Sequence, residues 1–116
     1  MPTSYRMRVD CLGLDLAECA REIGGEALRH GWIVTSPNGN ILSVLGWPTS
    51  VEYEDGRVFV TWGLIDTPEA APWKREIDLD PTGFHLAVVA SVKRDVEGKI
   101  DRFWIRELSV HRGVLE

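Results

Sequence analysis

The chain of 116 residues is 44% hydrophobic and carries a formal net charge of −5, which suits one compact domain over residues 1–116 with a single core. An acidic chain disfavours general binding to nucleic acid or anionic membrane, because both depend mainly on Lys and Arg neutralising phosphate. The sequence shows no signal-peptide pattern and no bilayer-spanning apolar run, so we expect a soluble, cytoplasmic protein with no membrane partner.

The amino-terminal part predicts a strand followed by a helix. Tyr5–Cys11 alternates apolar and polar residues, as a half-buried strand does. Asp15 occupies a helix N-cap position with Glu18 at the capping-box spacing, and apolar residues follow at helical intervals. Gly24-Gly25 lies in the middle of this pattern, so we expect the helix to break there or to pack closely on a sheet.

The segment from residue 31 to 64 predicts two hairpins, because Asn38-Gly39 and Asp55-Gly56 supply the positive φ angles of tight turns. In the second hairpin Tyr53 faces Val58, which puts apolar side chains on one face and mostly charged ones on the other. The predicted strands are Trp32–Ser36, Ile41–Gly46, Val51–Glu54 and Arg57–Trp62.

The carboxyl-terminal half begins with an irregular stretch, Ile65–Pro72, which we interpret as a rim loop or lid. Trp73–Leu79 alternates apolar and charged residues and predicts a further strand. Phe84–Arg94 is apolar on both faces, which indicates a strand inside a sheet. The turn at Asp95–Lys99 leads to its predicted hairpin partner, Ile100–Val110.

Together these elements predict an α+β fold. A large, curved antiparallel sheet of about seven to eight strands in hairpin order would pack on one broken N-terminal helix. The alternative is a small closed β-barrel with the helix plugging one end. Edge strands left by an open sheet predict a homodimer formed by strand pairing or sheet packing.

Five tryptophans are many for this length, and their positions suggest different roles. Trp62 and Trp104 lie inside strongly patterned strands, so we expect both in the core. Trp47 and Trp73 lie beside loops, where they could line a cavity mouth or contact a partner, and packing at the edge of the core is the alternative.

A second set of candidates carries charge or titrates. Arg102 and Trp104 share a face on which guanidinium and indole can stack and hold an anion, and a solvated face is the alternative. Nucleic acid is not favoured, because neighbouring acids offset the charge. His85 starts the central strand and could act as an acid or base in a cavity, or simply be a hydrogen-bonded histidine at a sheet end. The candidate ligand-binding residues are Trp47, Trp73, His85, Arg102 and Trp104.

Acidic residues form the third set. Glu52 and Glu54 lie on the solvent-exposed face of the second predicted hairpin, and Glu76 and Asp78 lie on the predicted strand Trp73–Leu79. Such a face is either solvated or a surface for a basic protein.

The sequence gives no sign of a cofactor. Cys11 and Cys19 are too few for a disulfide framework and lack the spacing of a zinc site, so we expect buried, reduced thiols. The three histidines are scattered and match no metal-binding motif.

These patterns predict a small non-enzymatic binding domain. It would have either an aromatic-lined pocket for a small apolar or anionic molecule, or an acidic face for a basic protein. One alternative is a cofactor-free isomerase or hydrolase that uses His85 with a nearby carboxylate. Another is an acidic inhibitor or immunity-type protein.

Overall fold

The computed structural model describes residues 3–27, 33–34 and 44–115. Within these ranges the chain is an α+β structure, as predicted. Its elements are β1 (Thr3–Asp10), α1 (Leu16–Glu22) with a π-helical turn (Ile23–Ala27), β2 (Ile33–Val34), β3 (Val44–Glu54), β4 (Arg57–Leu64), α2 (Ala71–Leu79), β5 (Phe84–Arg94) and β6 (Ile100–Arg112). Neither of these helices is long and apolar enough to cross a membrane.

The strands form one curled, mixed sheet in the order β1-β4-β3-β2-β6-β5. β5 also pairs with β1 in parallel at Val9–Leu86 and Asp10–Ala87, so the pairing closes into a ring. A second short parallel ladder joins β2 to β6. The curved sheet was predicted, but seven to eight strands in antiparallel hairpin order are not found in the described residues. Closure of the sheet through the two parallel ladders is closer to the alternative prediction, a small closed β-barrel.

The segment predicted as the strand Trp73–Leu79 is instead the helix α2. Trp73 and Ile77 are four residues apart, so the pattern that alternates along a strand also forms one apolar side of a helix. Pro72 lies in the first turn, where a missing N–H costs nothing. Lys74 and Asp78 add an ion pair of 2.7 Å at the i, i+4 spacing.

The strand β3 joins two segments that we predicted as separate strands, Ile41–Gly46 and Val51–Glu54. Pairing with β4 continues from Gly46 to Glu54 because Thr49 is an extra residue, bulged between the pairs formed by Pro48 and Ser50. A bulge accommodates proline, which has no N–H to give to a ladder. Because two predicted strands form the single strand β3, the sheet has fewer strands than predicted.

The second predicted hairpin is confirmed residue by residue. Tyr53 pairs with Val58 and Glu54 with Arg57, and Asp55 and Gly56 have φ angles of 52° and 72°. The first predicted hairpin and its turn lie outside the described residues, apart from β2 and the start of β3.

The broken N-terminal helix is also confirmed. The Asp15 carboxylate accepts a 2.9 Å hydrogen bond from the Glu18 N–H, so the N-cap is as predicted. The helix changes to a π-helical turn at the glycine pair. A Cβ on Gly24 would lie 3.2 Å from Val51 Cγ1, so glycine lets this turn pack closely on β3.

The core lies between α1 and the concave face of the sheet. Trp62 is fully buried there, as predicted, and its ring centre lies 5.4 Å from that of Tyr5, with the two planes tilted by 49°. Other fully buried side chains of this core are Cys19, Ile23, Ile33, Leu45, Val58, Val60, Leu86, Leu108 and Val110.

The long hairpin of β5 and β6 is confirmed, but two bulges change which residues face the core. Asp101 and Arg106 are extra residues in β6, and each shifts the alternation by one position. Ile105 therefore faces inward and Trp104 outward, with 41% of its surface exposed. Our prediction of Trp104 as a core residue was wrong for this reason.

A hydrogen bond between the start of β1 and α2 should contribute measurably to stability. The Tyr5 hydroxyl donates a 2.8 Å bond to Asp78 Oδ1, and Lys74 donates to Oδ2. The bond from Lys74, and then that from Tyr5, lowers the pKa of Asp78. Burial, followed by the contact with Asp78, raises the pKa of Tyr5.

Replacing Tyr5 by phenylalanine keeps the contact with Trp62 and removes this bond. We expect the free energy of unfolding at pH 7 to fall by about 0.5–1 kcal/mol. Because the Tyr5 pKa is raised, the hydroxyl's contribution is complete below the ordinary tyrosine value of about 10 and is lost as pH rises beyond it. Urea unfolding of both proteins at pH 7 and pH 11 should show the difference shrink, and a difference that grows at pH 11 would contradict the assignment.

Candidate functional site

The five predicted ligand-binding residues do not form one pocket. Trp47 is exposed on β3, and Trp73 packs edge-to-face on Phe84 at 6.3 Å, beside the core. His85 lies on the outer face of β5, the face turned away from α1. Only Arg102 and Trp104 come together, with the Arg102 guanidinium 5.0 Å from the indole ring.

The pair of Arg102 and Trp104 borders a cavity of about 470 Å³ beside α1. Glu18 and Glu22, one turn apart on α1, also line it. The guanidinium of the chain itself therefore covers the indole, and two carboxylates border the space that an anion would enter. The predicted anion site has little support in this arrangement.

Glu52 and Glu54 lie on the outer face of β3, as predicted, but they are not free carboxylates. Arg6 on β1 lies 3.3 Å from Glu52 and 3.7 Å from Glu54. The same guanidinium lies 3.9 Å from the centre of the Phe59 ring. This part of the surface is therefore an internal network of ion pairs.

Glu76 and Asp78 lie on the helix α2 and not on a strand, so they do not extend the face formed by β3. Glu76 is paired with Arg112, and Asp78 with Lys74 and Tyr5. All four acids predicted to bind a partner thus have a basic neighbour within the chain. A basic protein would have to displace these contacts.

Side chains that can bind a ligand or exchange a proton lie together instead on the outer face of β5. The rings of His85 and His111 stack with their centres 5.6 Å apart and their planes inclined by 19°. They border an open groove of about 310 Å³, which we call the histidine groove. It is lined by Asp10, Leu12, His85, Ala87, Val88, Val89, Ser109 and His111.

The hydrogen bond of His85 defines which of its nitrogens can accept a proton. Nδ1 lies 2.9 Å from the carbonyl oxygen of Gly113, and a carbonyl oxygen only accepts, so Nδ1 carries the hydrogen. In the neutral ring Nε2 is then the acceptor. The segment after β6 therefore fixes the orientation of the His85 ring and the tautomer of its neutral form.

Ser109 holds the second ring in place. Its hydroxyl lies 2.7 Å from His111 Nε2 and 3.5 Å from the carbonyl oxygen of Ala87. The serine is only 1% exposed, so it anchors the imidazole and is poorly placed to act as a nucleophile.

The turn between β1 and α1 forms the rim of the groove, and its backbone is strained. The Leu14 N–H donates to the Cys11 carbonyl, and Leu12 and Gly13 have φ angles of 52° and 83°, as in a type I′ turn. A leucine in this left-handed region costs about 1–2 kcal/mol, yet its side chain is 64% exposed. Asp10 Oδ1 accepts a 3.0 Å bond from the Leu12 N–H and supports the conformation. Strain of this kind, held beside a groove, is typical of ligand clamps.

Glu107 is a further buried carboxyl on the same face of the hairpin, opposite Val89. Burial raises its pKa, and the neighbouring Arg106 acts in the opposite direction. Glu107 does not line the histidine groove, so Asp10 is the carboxylate that lines this groove together with His85.

Sequence reasoning found His85 but not its neighbours. An unbroken ladder starting from the pair of Arg94 and Ile100 would place His85 opposite Ser109. The two bulges in β6 place it opposite His111 instead. The Leu12-Gly13 turn does give a signal in the sequence, because glycine follows a strand, but nothing there indicates that Leu12 adopts a positive φ.

In the parts of the chain that the structure describes, no group of three or more His, Cys, Asp or Glu side chains could hold a metal ion. The chain matches no known protein family, no curated protein and no solved structure. Any function must therefore be argued from the site itself.

Proposed function

We propose that the protein is a small non-enzymatic binding domain and that the histidine groove holds its small-molecule ligand. The observation that carries this proposal is the oriented ring of His85, whose Nδ1 is bonded to Gly113 while Nε2 is the acceptor. The carboxylate of Asp10 lines the same groove. A few convergent polar groups beside apolar side chains are typical of small-molecule sites.

The chemistry of the lining selects the class of ligand. An imidazole acceptor and a carboxylate both favour a hydrogen-bond donor, and best a cationic one. Ala87, Val89 and the exposed Leu12 favour a short apolar body. An alkylammonium head group with a short aliphatic chain fits both requirements, whereas an anion would be repelled by Asp10.

The acidic face is the weaker of the two binding modes that the sequence suggested. Arg6, Arg112 and Lys74 already pair with its four carboxylates, which lowers its attraction for a basic protein. The inhibitor or immunity-type alternative depends on the same carboxylates and is weakened equally.

The enzyme alternative has one observation in its favour, since His85 and Asp10 line the same groove. A general base works best where water is excluded, and this groove is open to solvent. Binding without turnover is therefore the better proposal. The homodimer stays a prediction. Beyond Ala87 the edge of β5 that faces β1 has no partner among the described residues, so strand pairing would use that edge.

The proposal is tested by titrating butylammonium, butanol and butyrate into the protein and recording the NMR signals of the histidine rings. We expect butylammonium to shift the signals of His85 and His111 along one saturable curve, butanol to act more weakly, and butyrate to have no effect. Arg102→Gln is the matched control, because it alters the other cavity, and its curve should coincide with that of the wild type. Equal responses to all three compounds, or none, would contradict the proposal.

A further inference from the structure

We infer that the ligand is an aliphatic zwitterion, whose carboxylate binds Arg8 and Arg57 while its ammonium group occupies the histidine groove. This inference rests on the proposed function and adds the second half of the ligand. A cavity of about 370 Å³, which we call the arginine cavity, is lined by both arginines. It adjoins the histidine groove at Asp10 and Leu12, because these two residues line both spaces. A ligand that crosses this shared rim contacts both spaces at once.

The sheet places the two guanidinium groups on the same side as the groove. Arg8 on β1 pairs with Phe59 on β4, and Arg57 lies two positions from Phe59, so both arginines are on one face. This is the outer face, since the intervening Val58 is buried. His85 lies on β5, on the other side of β1 from β4. Two strand spacings, about 10 Å along the sheet, therefore separate His85 from Arg57. The two charges of the ligand must then lie at opposite ends of an aliphatic chain.

The charges of Arg8 and Arg57 are available to a ligand. Arg8 donates a 3.0 Å hydrogen bond to the carbonyl oxygen of Leu115, which is a neutral acceptor. Among the residues that the structure describes, neither guanidinium has a carboxylate at ion-pair distance, whereas Arg6 pairs with two glutamates. A guanidinium presents its N–H donors in a fork that matches the two oxygens of a carboxylate. The arginine cavity therefore suits that group.

Asp10 makes a zwitterion a better ligand than a simple anion. Its carboxylate lines the arginine cavity as well as the groove, so it repels an anion that enters the cavity alone. An ammonium group in the groove balances the charge of Asp10, and the two guanidinium charges then attract the carboxylate of the same molecule. Each end of the ligand thus favours the binding of the other.

The aliphatic chain of the ligand has an apolar surface to cover. Leu12 lies at the shared rim with 64% of its surface exposed. Leu14 and Leu16 add apolar side chains to the arginine cavity. Covering such surface is favourable because it removes apolar groups from water. The exposed leucine of the strained turn therefore lies between the two charged ends of the ligand.

The test titrates three probes of equal chain length into the full chain: 6-aminohexanoate, hexylammonium and hexanoate. NMR records the ring signals of His85 and the Nε–H signal of Arg57. We expect 6-aminohexanoate to bind about fivefold to tenfold more tightly than hexylammonium, because it adds a charge-assisted contact with arginine. It should shift both residues along one saturable curve. Hexylammonium should shift His85 alone, and hexanoate should bind more weakly than either.

Arg57→Gln tests the role of the arginine cavity. Arg57 is exposed at the end of a hairpin, so glutamine should leave the fold intact. The variant should bind 6-aminohexanoate only as tightly as hexylammonium, and its affinity for hexylammonium should equal that of the wild type. Arg102→Gln alters the separate cavity beside α1. It is the matched control and should keep the wild-type preference for 6-aminohexanoate.

The outcomes distinguish this inference from the proposed function. If hexylammonium shifts His85 but 6-aminohexanoate binds no more tightly, the zwitterion is wrong and the groove remains an alkylammonium site. A preference for 6-aminohexanoate that survives in Arg57→Gln would overturn the role of the arginine cavity. Absence of any shift at His85 with all three probes would contradict the proposed function, and this inference with it.

Discussion

Gly46→Ala is expected to lower the free energy of unfolding by about 3 kcal/mol or more. A Cβ on Gly46 would overlap the carbonyl oxygen of Gly63 on the neighbouring strand and would press on the ring of Trp62. The backbone of β4 cannot retreat without breaking its ladder with β3. Total stabilities are commonly 5–15 kcal/mol, so the loss should be evident in urea unfolding followed by tryptophan fluorescence.

The matched control is Gly63→Ala on the paired strand. Its Cβ would find only the carbonyl oxygen of Thr3, at 3.9 Å, which is an ordinary contact. We expect a change of less than about 1 kcal/mol, since alanine also restricts the unfolded chain. Equal destabilisation by the two substitutions would show that β3 and β4 do not approach as closely at Gly46 as described.

Leu12→Asn is expected to increase the stability of the fold and to weaken ligand binding. Asparagine tolerates a positive φ, and before Gly13 it gives the Asn-Gly pair that type I′ turns prefer. We therefore expect the free energy of unfolding to rise by about 1 kcal/mol. Binding of butylammonium should weaken about fivefold to tenfold, because the variant loses the apolar surface that Leu12 offers at the rim.

Val96→Asn is the matched control for this substitution. Val96 is a fully exposed apolar residue at the turn between β5 and β6, far along the hairpin from the groove. The Val96→Asn substitution should leave both the free energy of unfolding and the binding of butylammonium nearly unchanged. Should Leu12→Asn bind as tightly as the wild type, the strained leucine would have no role in the groove.

Local patterns predicted the parts of the fold that local interactions determine. The cap at Asp15 and the pairing of Tyr53 with Val58 depend on residues a few positions apart, and both were found as expected. The pairing of β1 with β5 joins residues that are 77 positions apart. No pattern along the chain reports such a contact, so closure of the sheet could not be derived.

The misassigned helix has a different cause. In α2 the apolar Trp73 and Ile77 satisfy both a period of two and a spacing of four, so periodicity alone could not decide. Pro72 gave the better signal, because proline is common in the first turn of a helix and removes a donor from a strand.

The candidate site depends on the register of strand pairing, which cannot be read from the identity of single residues. Asp101 and Arg106 look like ordinary members of a strand, yet as bulges they turn Trp104 outward and bring His85 opposite His111. His85 alone could be proposed from its place at the start of a central strand. Its partners required the observed register.

The most direct test of the proposed function compares the affinity of butylammonium for the wild type and for His85→Phe. Phenylalanine can still stack on His111 but offers no acceptor at the position of Nε2, so we expect the dissociation constant to rise at least tenfold while the protein stays folded. An unchanged dissociation constant would show that His85 does not hold the ligand, and the proposal of a histidine groove would be wrong.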